Sequence, residues 1–145
     1  MIIALACDHG GYPLMVTVKK HLEEKGYQLR DFGTDSLESC DYPDYAGPAA
    51  KAVAKGECDR GILICTTGIG VSIAANKVHG IRCALCHDSV SASLTRRHND
   101  TNMLAMGAGI IGSNLALDIV DVWLETEFEG GRHQRRIDKV MALEE

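Results

Sequence analysis

Residues 61–77 read Gly-Ile-Leu-Ile-Cys-Thr-Thr-Gly-Ile-Gly-Val-Ser-Ile-Ala-Ala-Asn-Lys. The apolar run Ile62-Leu63-Ile64, opened by Gly61 and closed by Cys65, predicts a short strand buried on both faces. Gly68 and Gly70 predict a sharp turn, and Val71 to Lys77 a helix. A strand, a glycine turn and a helix start leave backbone N–H groups around one point, where the helix dipole favours negative charge. Cys65 stands there, and the dipole favours its thiolate. The same pattern also fits a small core cysteine beside a tightened turn.

The unit recurs along the chain. Ile2–Cys7 predicts a first strand. A helix follows to about Lys25, with Pro13 near its first position, Met15, Val18 and Leu22 on one face, and Gly26 as its stop. Tyr27–Asp31 predicts a second strand, Phe32–Asp44 a polar loop, and Ala46, Ala49, Ala50 and Val53 a second helix. Arg82–Cys86 predicts a fourth strand, Asp88 the cap of a helix to about Arg97, and Asn102–Met106 a fifth strand. Gly112 and Ser113 open a long helix with Ile111, Leu115, Ile119 and Trp123 on one face. Glu129-Gly130-Gly131 breaks it, and a last helix from about Gln134 carries Ile137, Val140 and Met141. Strands alternating with helices predict one α/β domain over residues 1–145, a parallel sheet with helices on both faces.

The net charge of −5 and the lack of a basic tail argue against nucleic acid and anionic membranes as partners. Positive charge is local, at Arg96-Arg97 and in Arg132-His133-Gln134-Arg135-Arg136, which suits a small anionic ligand. No signal-peptide pattern and no membrane-length apolar run is found, and the six cysteines are scattered. The expectation is a cytoplasmic protein with reduced thiols. Cys83-Ala-Leu-Cys86 has no second pair to complete a zinc site, so no metal is expected there.

Ligands of parallel sheets sit at the carboxyl ends of the strands. That edge collects Asp8 and His9, Cys65 to Gly70, and Asp88. His98, Asn99 and Asp100 precede the fifth strand, and connectivity alone does not bring them there. Arg132, Arg135 and Arg136 could grip phosphate through forked hydrogen bonds or form a solvated basic face. A nucleotide P-loop is missing, the glycines do not complete a dinucleotide fingerprint, and Val71 stands where a cysteine phosphatase needs arginine. Thiol, histidines, aspartates and arginines together point to proton transfer on a phosphorylated substrate.

Asp8-His9-Gly10-Gly11, Asp41-Tyr42-Pro43-Asp44-Tyr45, Cys65 to Lys77, Leu94 to Asp100 and Glu129 to Gln134, in this order, resemble type B ribose-5-phosphate isomerases. The resemblance covers essentially the whole chain. It implies a three-layer α/β/α sandwich with five parallel strands, and a cofactor-free interconversion of ribose 5-phosphate and ribulose 5-phosphate through a cis-enediolate. Carried over, Cys65 is the base moving a proton between C2 and C1, and His98 with Asp8 opens the furanose ring. Thr67, Asn99 and the N–H groups near Gly68 and Gly70 stabilise the enediolate, and Thr66 lies in the same substrate-binding loop. His9, Arg132 and Arg136 bind phosphate, and Tyr42 lines the sugar pocket. The resemblance further implies a homodimer, or a tetramer built from it, with shared sites; the arginines reach across and the C-terminal helix packs on the partner. Two positions depart from the family pattern: Thr66 where glycine is usual, and Gly109 where ribose-type members commonly carry arginine. They keep two alternatives open, a hexose 6-phosphate isomerase of the allose or galactose series and a non-catalytic sugar-phosphate-binding module.

Overall fold

The structure is a computed structural model that describes residues 1–144. The elements are β1 (Ile2–Cys7), α1 (Tyr12–Glu24), β2 (Gln28–Asp31), α2 (Pro43–Ala54), β3 (Arg60–Cys65), α3 (Ile69–Asn76), β4 (Cys83–Leu85), α4 (Ser89–Asn99), β5 (Met103–Gly107), α5 (Ser113–Glu125) and α6 (Arg132–Met141). All strand pairs are parallel, in the order β2-β1-β3-β5-β4. Right-handed crossovers put the helix of each leftward step on one face and of each rightward step on the other. Leu14, Met15, Val18 and Leu22 of α1, Ala92 of α4 and Ile119 and Trp123 of α5 therefore pack on Ile3, Leu5, Ile62, Ile64, Leu104 and Met106. The alternate side chains Ala4, Ala6, Leu63, Cys65, Met103 and Ala105 meet α2 and α3, where Ala46, Ala49 and Ala50 permit a close approach. This is the expected five-stranded α/β/α sandwich.

The boundaries differ in instructive ways. α2 begins at Pro43, inside the predicted loop, because proline is accommodated in a helix's first turn. Gly68 alone makes the turn before α3, at φ 75°. Gly70 is helical; a Cβ there would stand 2.6 Å from Tyr42 Cζ, so the glycine makes room for a ring rather than for a turn. On α5 the buried face is Ala116, Ile119, Val120 and Trp123, whereas Leu115 is 39% exposed. Asp88 caps α4 as expected, accepting from the Ser91 N–H at 2.6 Å. No described helix is long and apolar enough to cross a membrane.

Candidate active site

At the carboxyl edge, β3 delivers Cys65 into a loop braced by β5. The N–H groups of Ala108 and Gly109 donate to the carbonyls of Cys65 (2.9 Å) and Thr66 (2.8 Å). Left-handed Gly68 directs its own N–H to Cys65 Sγ at 3.1 Å, a contact that stabilises negative charge on sulfur. Thr67 Oγ1 accepts from the Ile69 N–H at 3.2 Å, which leaves its hydroxyl proton to donate elsewhere. Thr66 fits because two glycines make room for it. A Cβ on Gly10 would collide with Thr66 Oγ1, and one on Gly109 would lie 3.1 Å from Thr66 Cγ2.

Asp8 and His9 leave β1 beside this loop. Asp8 is buried, and its Oδ1 accepts from the Gly11 N–H at 3.0 Å. The Cys40 N–H donates to His9 Nδ1 at 3.3 Å, so a neutral His9 carries its proton on Nε2, as a donor. Tyr42 covers Gly70. Burial pushes the Cys7 thiol up to about 12 and the Cys86 thiol up to about 11, and raises Cys58 and Cys83 as well. Among the described residues Cys65 is the one thiol whose sulfur accepts a backbone N–H.

A second cluster forms between the end of α4 and the start of α6. His98, Asn99, Arg132, His133 and Arg136 line a cavity of about 340 Å3. His98 and His133 stack at 4.4 Å with 14° between their planes. Glu129 Oε1 lies 3.7 Å from His98 Nε2 and 3.4 Å from His133 Nε2, while Oε2 binds Arg97 at 2.9 Å. The Arg97 hydrogen bond holds the Glu129 carboxyl below its ordinary range. Burial, reinforced by His98 and Arg132, pulls the His133 imidazole down. The three groups face one another closely enough for an ion. Their rings nevertheless lie nearly parallel instead of converging, and Arg97, Arg132 and Arg136 surround them, an arrangement suited to an anion.

The two clusters occupy opposite edges of one sheet. Cys65 pairs with Gly107 at the carboxyl end, and Gly61 with Met103 at the amino end. Four strand steps give about 13 Å between those levels. Asn99 is tied beyond the amino end, its carbonyl accepting from Arg82 Nε at 3.0 Å. The structure thus brings Asp8, His9, Tyr42, Thr66, Thr67, Gly68 and Gly70 around Cys65, and brings His98, Asn99, Arg132 and Arg136 together elsewhere. The basic pair before them serves the fold: Arg96 is buried on Asp100 (2.9 Å) and the Thr101 carbonyl (2.6 Å), and Arg97 holds Glu129.

Sequence reasoning missed His133 and Glu129 as site residues. Glu129 precedes α6 across Gly130 and Gly131, both at positive φ, so helical spacing did not mark the pair. Nothing in the sequence marks His87, whose Nε2 accepts from the Gly107 N–H.

The family described as Ribose/Galactose Isomerase matches residues 3–140. The chain is 52% identical over 143 residues to ribose-5-phosphate isomerase B of Escherichia coli (strain K12), covering 99% of this chain and 96% of that protein. A structure of Clostridium thermocellum ribose-5-phosphate isomerase B superposes with a TM-score of 0.98 at 53% identity, covering 99% of this chain and 97% of that one. The Mycoplasma genitalium ribose-5-phosphate isomerase B with bound ribulose-5-phosphate gives a TM-score of 0.95 at 41% identity, over 99% of this chain and 95% of that one. A parallel sheet of this order, a thiol in a donor-lined loop and whole-length similarity lead to one conclusion: the chain belongs to the ribose/galactose isomerase family.

Proposed function

We propose that the protein is an aldose–ketose isomerase that interconverts ribose 5-phosphate and ribulose 5-phosphate, with Cys65 as the base. The observation that carries the reading is the Gly68 N–H on Cys65 Sγ at 3.1 Å, in a loop whose carbonyls are held by Ala108 and Gly109. Ring opening moves the proton of the anomeric hydroxyl to Asp8 and gives the ring oxygen a proton from His98. The Cys65 thiolate then takes the proton from C2. The electron pair passes into the C1–C2 bond, and O1 of the cis-enediolate takes the negative charge. Thr67, Asn99 and loop N–H groups oppose that charge; one such donor typically contributes about 10²–10³ in rate. The thiol returns its proton to C1 while the O2 proton moves to O1, leaving the ketose. His9, Arg132 and Arg136 hold the phosphate.

The roughly 13 Å of strand between the clusters supports a homodimer in which each site combines one subunit's thiol loop with its partner's His98, Asn99, Arg132 and Arg136. Ile69 and Ile73 of α3, Leu85 of edge strand β4 and Val140 of α6 are exposed and apolar, and supply a surface for that partner. Free thiols throughout fit a cytoplasmic location.

The test is turnover of ribose 5-phosphate by the purified protein, followed as ketose formation, and its loss in Cys65→Ala. No turnover of any aldose phosphate leaves a sugar-phosphate-binding module. A second reading, a hexose 6-phosphate isomerase, draws on Gly109, which bares a cavity of about 440 Å3 lined by Gly10, Thr66 and Gly112. A higher kcat/KM for allose or galactose 6-phosphate than for ribose 5-phosphate would select it.

A further inference from the structure

His87 lies just past β4, half-buried, and belongs to neither cluster. Its Nε2 accepts the Gly107 N–H at 3.0 Å. A backbone N–H only donates, so Nε2 must carry a lone pair, and the ring's proton sits on Nδ1. The bond exists because β4 ends early. Leu85 pairs with Ala105, the Cys86 N–H still reaches the Ala105 carbonyl at 3.1 Å, and the chain then leaves the sheet for the Asp88 cap. The next β5 donor facing that side, Gly107, has no β4 carbonyl to meet. The imidazole takes its place.

Gly107 is also where β5 begins to shape the thiol loop. Its successors Ala108 and Gly109 orient the Cys65 and Thr66 carbonyls at 2.9 and 2.8 Å. Fixing a carbonyl fixes the N–H on the other side of the same peptide plane, here those of Thr66 and Thr67. Contact is close as well: a Cβ on Gly107 would stand 2.6 Å from the Thr67 carbonyl oxygen, and one on Gly68 2.7 Å from the Met106 carbonyl carbon. A displacement of Gly107 therefore moves the donors around Cys65.

We infer that His87 is a positioning residue for the Cys65–Gly68 loop, and that it works only as a neutral acceptor. An imidazolium at this position presents an N–H to the Gly107 N–H, so the contact opens on protonation. Cys65, Asp8 and His9 share this sheet edge, and the nearer titratable groups are Asp88, Asp118 and Cys86. Asp88 is bonded to Ser91 N and Oγ, Asp118 of α5 to Ser89, and burial keeps the Cys86 thiol protonated.

The inference rests on the isomerase reading with Cys65 as base, and the experiment separates the two. His87→Ala is expected to lower kcat about tenfold to a hundredfold, the scale of a small misplacement of catalytic groups, with little change in KM. In His87→Gln the carboxamide oxygen accepts from Gly107 without titrating. It is expected to restore most of kcat and to remove one proton from the acid limb of the kcat/KM profile. Imidazole 15N shifts of Cys65→Ala, with His87→Gln assigning the signal, report the tautomer with no need for turnover. A protonated Nδ1 and bare Nε2 at pH 8 support the inference, even where His87→Ala fails to fold. An Nε2–H tautomer overturns it, as does a His87→Gln enzyme as slow as His87→Ala with the acid limb unchanged.

Discussion

The Gly68 N–H reaches Cys65 Sγ across 3.1 Å, so the residue that turns the backbone into α3 also solvates the sulfur. Cys65→Ala removes the proposed base and is expected to lower kcat by about 10²–10⁴, the usual range for general base catalysis, with the fold intact. Iodoacetamide at pH 8 should inactivate the wild type by alkylating Cys65, with Cys7 and Cys86 left unlabelled because burial keeps them neutral. Ribose 5-phosphate should protect. Peptide mapping checks the site, and full activity of the alanine variant would assign the base elsewhere.

Thr66 and Gly109 form one structural unit, because the Thr66 methyl occupies the space a side chain at 109 would enter. Gly109→Ala brings a Cβ within 3.1 Å of Thr66 Cγ2 and 3.0 Å of the Thr66 carbonyl oxygen. It should cost stability and kcat/KM in the wild type and less in Thr66→Gly. The expected coupling in a double-mutant cycle is at least about 0.5 kcal/mol, measured by denaturant unfolding and by kinetics. Additive effects would separate the two positions.

Buried thiols are expected to lower stability at alkaline pH. Cys7 and Cys86 ionise at about 12 and 11 in the folded chain, against an ordinary value of 9.0. The folded state therefore holds more protons than the unfolded state between these values, and stability present below pH 9 is lost as pH rises. Tm is expected to fall by about 3 °C or more between pH 9 and pH 10.5, and less steeply in Cys7→Ala. An identical slope in the variant would remove Cys7 from the account.

The proposed sharing of sites between subunits has a complementation test. Cys65→Ala and Arg136→Ala chains are each expected to be nearly inactive. In a heterodimer, one site joins an intact Cys65 to an intact Arg136 and the other lacks both. Random reassociation should recover roughly a quarter of wild-type activity. Heterodimers that form and stay inactive would place each site within one chain.

The sheet was legible because parallel strands buried on both faces leave uninterrupted apolar runs such as Ile62–Ile64, and helix faces repeat at three and four residues. Asp8, His9 and the Cys65–Gly70 loop were legible for the same reason, since each directly follows a strand. Tyr42 stands eleven residues beyond β2 and came only from the family resemblance. Strand order was not, since β5 inserts between β3 and β4 through side-chain packing that no local pattern encodes. Gly70 was read as a turn because sequence does not distinguish a glycine needed for φ from one needed for space; only the Tyr42 ring against it settles which. The early start of α2 was hidden by a polar first turn. His133 and Glu129 depend on an α4–α6 meeting far apart in sequence, and His87 on a strand that stops two residues short of its neighbour.

The placement of the two clusters at opposite ends of β3 has a consequence for how the protein works in a cell. On the proposed reading, a subunit alone holds the thiol loop and His9 at one end and Arg132 and Arg136 at the other, and its own strand keeps them apart. If the sites are shared as proposed, folding of a subunit precedes function, and specific activity depends on chain concentration by mass action. On dilution the rate per chain should fall as the dimer fraction does, in proportion to chain concentration once single subunits predominate, while circular dichroism stays constant. The midpoint of that fall reads the subunit dissociation constant directly from catalysis.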